Sequence, residues 1–141
     1  MSNTVLTKRK EGVLTITMNR PEALNALDRE LSETLQKTIV TAEQDKKVRC
    51  VVIRGGEQFM AGGDLKYFSE NLDIDPNEKR IMFEGFINHV HKIIISIRRM
   101  PKPVVASIRG PAAGFGLSLA MACDLAIAAD DAFFTLAYVN I

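Results

Sequence analysis

The sequence predicts an α/β fold, a largely parallel sheet with helices as crossovers, and three observations carry that prediction. Short β-branched runs alternate with longer segments whose apolar residues recur at the helical period. Breaks separate them: Asn19-Arg20-Pro21, Gly55-Gly56, and a glycine-bearing turn from Gly110 to Gly116. The order strand, helix, strand, helix, strand, helix, strand is that of crossover connections. A chain of 141 residues suits a single domain, taken here as 1–141.

Val13 to Met18 reads as a strand leaving a turn at Glu11-Gly12. Asn25 is the expected cap of the first helix, with Asp28 three residues on as in a capping box. Leu31, Leu35, Ile39 and Ala42 keep one face of that helix apolar. Val48 to Ile53 is the next strand, and Ser69 to Asp75 reads as an acidic surface loop. Asp75-Pro76-Asn77-Glu78 starts a long helix, with a cap, Pro at the first position and a carboxylate at the third. Phe83, Phe86, Ile87, Val90, Ile93, Ile94 and Ile97 form its apolar stripe, and Pro101 and Pro103 end it. Val104 to Ile108 is a third strand, Leu117 to Cys123 a short buried helix, and Leu125 to Ala128 a fourth strand. Phe133 to Ile141 reads as chain entering a further element.

Composition narrows the function classes. Lys plus Arg number 18 and Asp plus Glu 17, a balance that offers nucleic acid no broad basic field. The apolar runs fall well short of the ~18 residues of a membrane span, and Met1 to Gly12 lacks the apolar core of a signal peptide. Cys50 and Cys123 sit in apolar stretches and read as buried free thiols. A soluble cytoplasmic protein without nucleic-acid, membrane or metal partners is expected.

Two glycine loops, Phe59 to Lys66 and Gly110 to Leu117, each follow a strand and precede a helix. There they present main-chain N–H groups near the positive end of a helix dipole. Two such groups converging would form an oxyanion hole. Either loop alone reads equally as a tight turn; the pair favours a site. Phosphate loops fit poorly, because Leu119 stands where Gly-x-Gly-x-x-Gly needs its third glycine and no Gly-Lys-Ser/Thr ending follows.

The segments Arg20-Pro21-Glu22-Ala23-Leu24-Asn25-Ala26-Leu27, Phe59 to Leu65 and Gly110 to Asp124 resemble, in order and spacing, three signature segments of the crotonase (enoyl-CoA hydratase/isomerase) family. The resemblance implies a ββα spiral and an acyl-CoA thioester ligand, with coenzyme A as part of the substrate and no separate cofactor. It implies oxyanion-hole donors at the main-chain N–H groups of Gly63 and Phe115. Ala61 and Gly62 would border the adenine, and Ala23, Leu24 and Ala26 the pantetheine arm. Leu65 and Gly114 would complete the binding loops, and Lys66 would meet a CoA phosphate. Asp64 would support its loop as a helix cap. Members run nearly twice this length, so an N-terminal portion lacking the C-terminal helical part is expected. Intact relatives assemble as homo-oligomers, trimers or dimers of trimers.

Two departures stand out. The positions of the two hydratase glutamates hold Ser118 and Tyr138, neither of which replaces a carboxylate base near neutral pH. An isomerase-like proton transfer is therefore expected over hydration. A non-catalytic binding or assembly protein, or an inactive truncated fragment, is the alternative. His89 and His91 face apart at i and i+2 and read as surface histidines. Arg98, Arg99 and Lys102 read as a solvated cap at a helix end, Tyr67 and Phe68 as packing, and Met82, Met100 and Met121 as core.

Overall fold

A computed structural model describes residues 3–70 and 72–138. A five-stranded sheet holds β1 (Val5–Lys10), β2 (Val13–Met18), β3 (Cys50–Arg54), β4 (Val104–Ile108) and β6 (Leu125–Ala128) in the order β1-β2-β3-β4-β6. Only β1 with β2 is antiparallel; the other three pairings are parallel, as crossover helices require. Those helices are α1 (Arg29–Gln44), the short α2 (Leu65–Glu70), α3 (Pro76–Arg99) and α4 (Phe115–Ala122). A second, two-stranded parallel sheet pairs β5 (Pro111–Ala113) with β7 (Phe133–Thr135).

The core follows from register. Ile16 stands opposite Ile53, and Ile53 opposite Ala106, so one apolar row crosses three strands. All three are fully buried beneath Leu31, Leu35 and Ile39 of α1 and Ile93 and Ile97 of α3. Each large side chain in that layer contributes about 1.5–3 kcal/mol by leaving water. Asp75 caps α3 by accepting from the N–H groups of Asn77 and Glu78. Lys102 reaches the far end of α1, where its Nζ donates to the carbonyls of Ala42 (2.6 Å) and Asp45 (2.7 Å).

Several expectations are corrected. The cap of α1 is Asp28, not Asn25: Asp28 is extended and its carboxylate accepts from the Leu31 N–H at 2.8 Å. Asn25 has a left-handed backbone and is buried, accepting from the Arg20 N–H and donating to the Gln58 carbonyl. β1 was not expected, because an exposed edge strand carries Lys8, Arg9 and Lys10 instead of an apolar alternation. β3 starts at Cys50, two residues later than read, and α4 starts at Phe115, two residues earlier. The acidic stretch from Ser69 first completes α2. Met82 is half-buried and Met100 buried, but Met121 lies on the outer side of α4 and is exposed. Phe133 to Ile141 does enter an element, β7; residues 139–141 lie outside the described residues. Leu125, Ile127, Phe133 and Phe134 leave β6 and β7 with open apolar faces, whereas the Phe83–Ile97 stripe divides between core and cavity. No helix of the described residues is long and apolar enough to cross a membrane.

Candidate active site

Main-chain pairing brings the two glycine loops side by side. Met60 donates to the Pro111 carbonyl at 2.9 Å, and Ala113 donates back to the Met60 carbonyl at 3.0 Å. Just beyond this bridge Gly62 and Gly114 lie back to back. Gly62 has φ of 108°, and a Cβ there would stand 3.2 Å from the Ala113 carbonyl oxygen. Gly114 has φ of 50°, and its Cβ would meet the Gly62 Cα at 3.7 Å. Both positions combine a left-handed backbone with a close approach, so glycine is what the contact requires.

The residues after these glycines are the ones that matter chemically. The Gly62 carbonyl accepts from Leu27 N–H at 2.7 Å, and Asp64 N–H donates to the Leu27 carbonyl at 3.0 Å. That clamp leaves the N–H of Gly63, between them, with no acceptor among the described residues. Phe115 is the first residue of α4, and its N–H is likewise unpaired among the described residues. Both residues border one cavity of about 770 Å³.

A charged buckle fixes the first loop. Arg20 Nη2 lies 3.0 Å from Asp64 and 3.2 Å from Asp28, and Nη1 donates to the Ala26 carbonyl. The other carboxylate oxygen of Asp64 accepts from the N–H groups of Lys66 (3.1 Å) and Tyr67 (3.2 Å), capping α2. Burial opposes the Asp64 charge, but the Tyr67 N–H, the Arg20 guanidinium and the Lys66 N–H outweigh it and hold its carboxyl below the usual carboxylate range. The preceding turn carries two consecutive left-handed residues, Leu24 and Asn25, and is tied to the first loop by the Ala61 N–H donating to Leu24 O.

The cavity gathers Ala61, Gly62, Gly63, Leu65, Gly114, Phe115, Ser118 and Tyr138. Ala23, Leu24, Ala26, Asp64 and Lys66 do not border it; Lys66 points into solvent toward Glu70 at 3.9 Å. Opposite the loops, α3 supplies a wall that includes Phe83, Phe86, Ile87 and Val90. Phe68 joins loop to wall, its ring filling the space beside Gly63 and meeting Phe86 edge-on at 5.4 Å. Sequence reasoning missed that wall, and with it His91, which borders the cavity. The available signal was the four-residue spacing of Phe83, Ile87, His91 and Ile95. His91 is exposed, as expected, whereas His89 is half-buried and its Nε2 is buried without a partner among the described residues. Arg98 donates to the Ala122 carbonyl at 3.3 Å and lies 3.8 Å from Asp124, so it joins α3 to the end of α4. Among the described residues no three His, Cys, Asp or Glu side chains gather as a metal site would need.

The sequence profile of enoyl-CoA hydratase/isomerase matches residues 8–141. The chain belongs to this family. It is 36% identical over 131 residues to a trans-2-decenoyl-[acyl-carrier-protein] isomerase of Streptococcus mutans, covering 92% of this chain and 49% of that protein. It is 34% identical over 143 residues to a 1,2-epoxyphenylacetyl-CoA isomerase of Escherichia coli, covering 98% and 52%. An enoyl-CoA hydratase structure from Mycobacterium smegmatis superposes with a TM-score of 0.88 at 35% identity, covering 99% of this chain and 52% of that one. The α/β crotonase-type fold expected from the three segments is thus the one observed. The chain spans about half the length of these family members.

Proposed function

We propose that this chain binds an acyl-CoA thioester and that its Gly63 and Phe115 N–H groups receive the thioester oxygen. The observation that carries the reading is the pair of unpaired main-chain donors bordering a single cavity. When a proton leaves the carbon next to a thioester, negative charge moves to the oxygen, and donors fixed beforehand stabilise that enolate without reorganising. The mainly apolar wall opposite suits an acyl chain.

The reaction we assign to the intact protein is isomerase-like proton transfer. Hydration needs groups that activate water, and the two positions where the family's hydratases carry glutamates hold Ser118 and Tyr138. The relatives from S. mutans and E. coli, named as isomerases, support the same direction. A non-catalytic acyl-CoA-binding protein is the second reading, favoured by the absence of any carboxylate among the described residues bordering the cavity.

Isothermal titration with crotonyl-CoA tests the proposal. Saturable heat at millimolar ligand or below is expected, and no heat at all overturns it. Deuterium entering the ligand from D2O separates the enzyme from the binding protein.

A further inference from the structure

We propose that His91 is the catalytic base of this cavity, carrying a proton between the γ- and α-carbons of an enoyl thioester. The inference rests on the thioester reading above and names the group that reading lacks. α3 lays Phe83, Phe86, Ile87, Val90, Ile94 and Ile95 along the cavity at the three- and four-residue steps of one helix face. His91 follows Ile87 by four residues and precedes Ile95 by four, so a titratable group interrupts an otherwise apolar wall. Among the described residues bordering the cavity, only His91 and Tyr138 carry an ionisable side chain. A phenol is too weak an acid to cycle near neutrality, whereas an imidazole both takes and returns a proton there. His89 borders no part of the cavity, so the two histidines stand in different surroundings.

The wall is anchored to the proposed oxyanion site. The Phe68 ring occupies the space beside Gly63 and packs on Phe86.

The step balances without a co-reactant. The neutral imidazole takes a proton from the γ-carbon of a 2-enoyl thioester. The C–H electron pair becomes the β,γ double bond, and the former α,β π electrons shift toward the carbonyl, leaving the charge on oxygen between Gly63 and Phe115. The imidazolium returns the proton to the α-carbon, the carbonyl re-forms, and a 3-enoyl thioester and neutral His91 result.

The test follows deuterium from D2O into the α- and γ-positions of crotonyl-CoA by NMR, using this chain and His91→Gln, with binding measured in parallel by calorimetry. His91 is exposed, so the substitution leaves the core intact. The proposal expects exchange to fall at least about a hundredfold with Kd changed less than threefold, and His91→Ala to regain exchange in added imidazole. A fall of tenfold or less, or no rescue by imidazole, overturns it. Binding without exchange in the unsubstituted chain also overturns it but leaves the Gly63–Phe115 reading standing. Absence of binding overturns both.

Discussion

Replacing Arg20 with methionine removes the buckle of the first loop while keeping a side chain of similar length. The guanidinium is 16% exposed, and the two carboxylates it holds, Asp28 and Asp64, are 18% and 13% exposed. Removing one partner from an ion cluster this buried costs about 3–5 kcal/mol, because charge is left without a counter-charge. The residual exposure places the effect near the lower end, about 3 kcal/mol. At about 2–4 °C per kcal/mol for a chain of this size, the melting temperature should drop by roughly 10 °C. Urea denaturation followed by far-UV circular dichroism measures it, with an unchanged slope and a lowered midpoint. The double variant Arg20→Met/Asp64→Asn should recover at least about 1 kcal/mol, since it also removes a stranded charge. A loss under about 0.5 kcal/mol, the scale of a solvated surface pair, would refute the buckle.

Three further outcomes follow from the same structure. Asp75→Ala deletes the acceptor for two N–H groups at the start of α3 and should cost about 1 kcal/mol by urea denaturation. The Asp64 carboxyl sits below its ordinary range when folded, so its contribution is complete above the unfolded value of about 4 and is lost as pH falls through the folded value. The urea midpoint of the unsubstituted chain should therefore fall more steeply below about pH 4 than that of Asp64→Asn, and parallel curves would contradict this. Burial, with the neighbouring Asp124 charge, pushes the Cys123 thiol up to about 12 against the opposing pull of Arg98. Disulfide-exchange labelling at pH 8 followed by peptide mass spectrometry should thus find Cys123 unmodified until denaturant is added.

Much of the architecture was legible because its periods are simple. The stripe Leu31, Leu35, Ile39, Ala42 is buried as its spacing requires, and so are the alternate residues Ile16 and Met18 of β2 and Val104, Ala106 and Ile108 of β4. Where two readings competed, long-range contacts decided. Asn25 and Asp28 are both good caps, but the Asn25 side chain accepts from the Arg20 N–H and donates to the Gln58 carbonyl, far along the chain, and is so held away from the helix. β5 and β7, at three residues each, carry no alternation to read and exist because they pair with each other. At the site, Gly62 and Gly114 announced special backbone, but their meeting depends on the Met60–Ala112 bridge, which no local pattern encodes. From sequence His91 reads only as a surface histidine, because a helix wall facing a cavity gains meaning only when the opposite wall is known.

The Phe115 N–H is the donor on which the proposed oxyanion site most depends, and proline can remove that one hydrogen. Phe115 opens α4, the helical position where proline is best tolerated, and Gly114 before it, at φ 50° and ψ −118°, lies outside the right-handed helical region that proline disfavours in its predecessor. Phe115→Ala removes the ring but keeps the N–H and serves as the reference. Measured as deuterium exchange into crotonyl-CoA, Phe115→Pro should fall about 100- to 1000-fold below Phe115→Ala. Equal rates in two folded variants would contradict the claim that this amide holds the thioester oxygen.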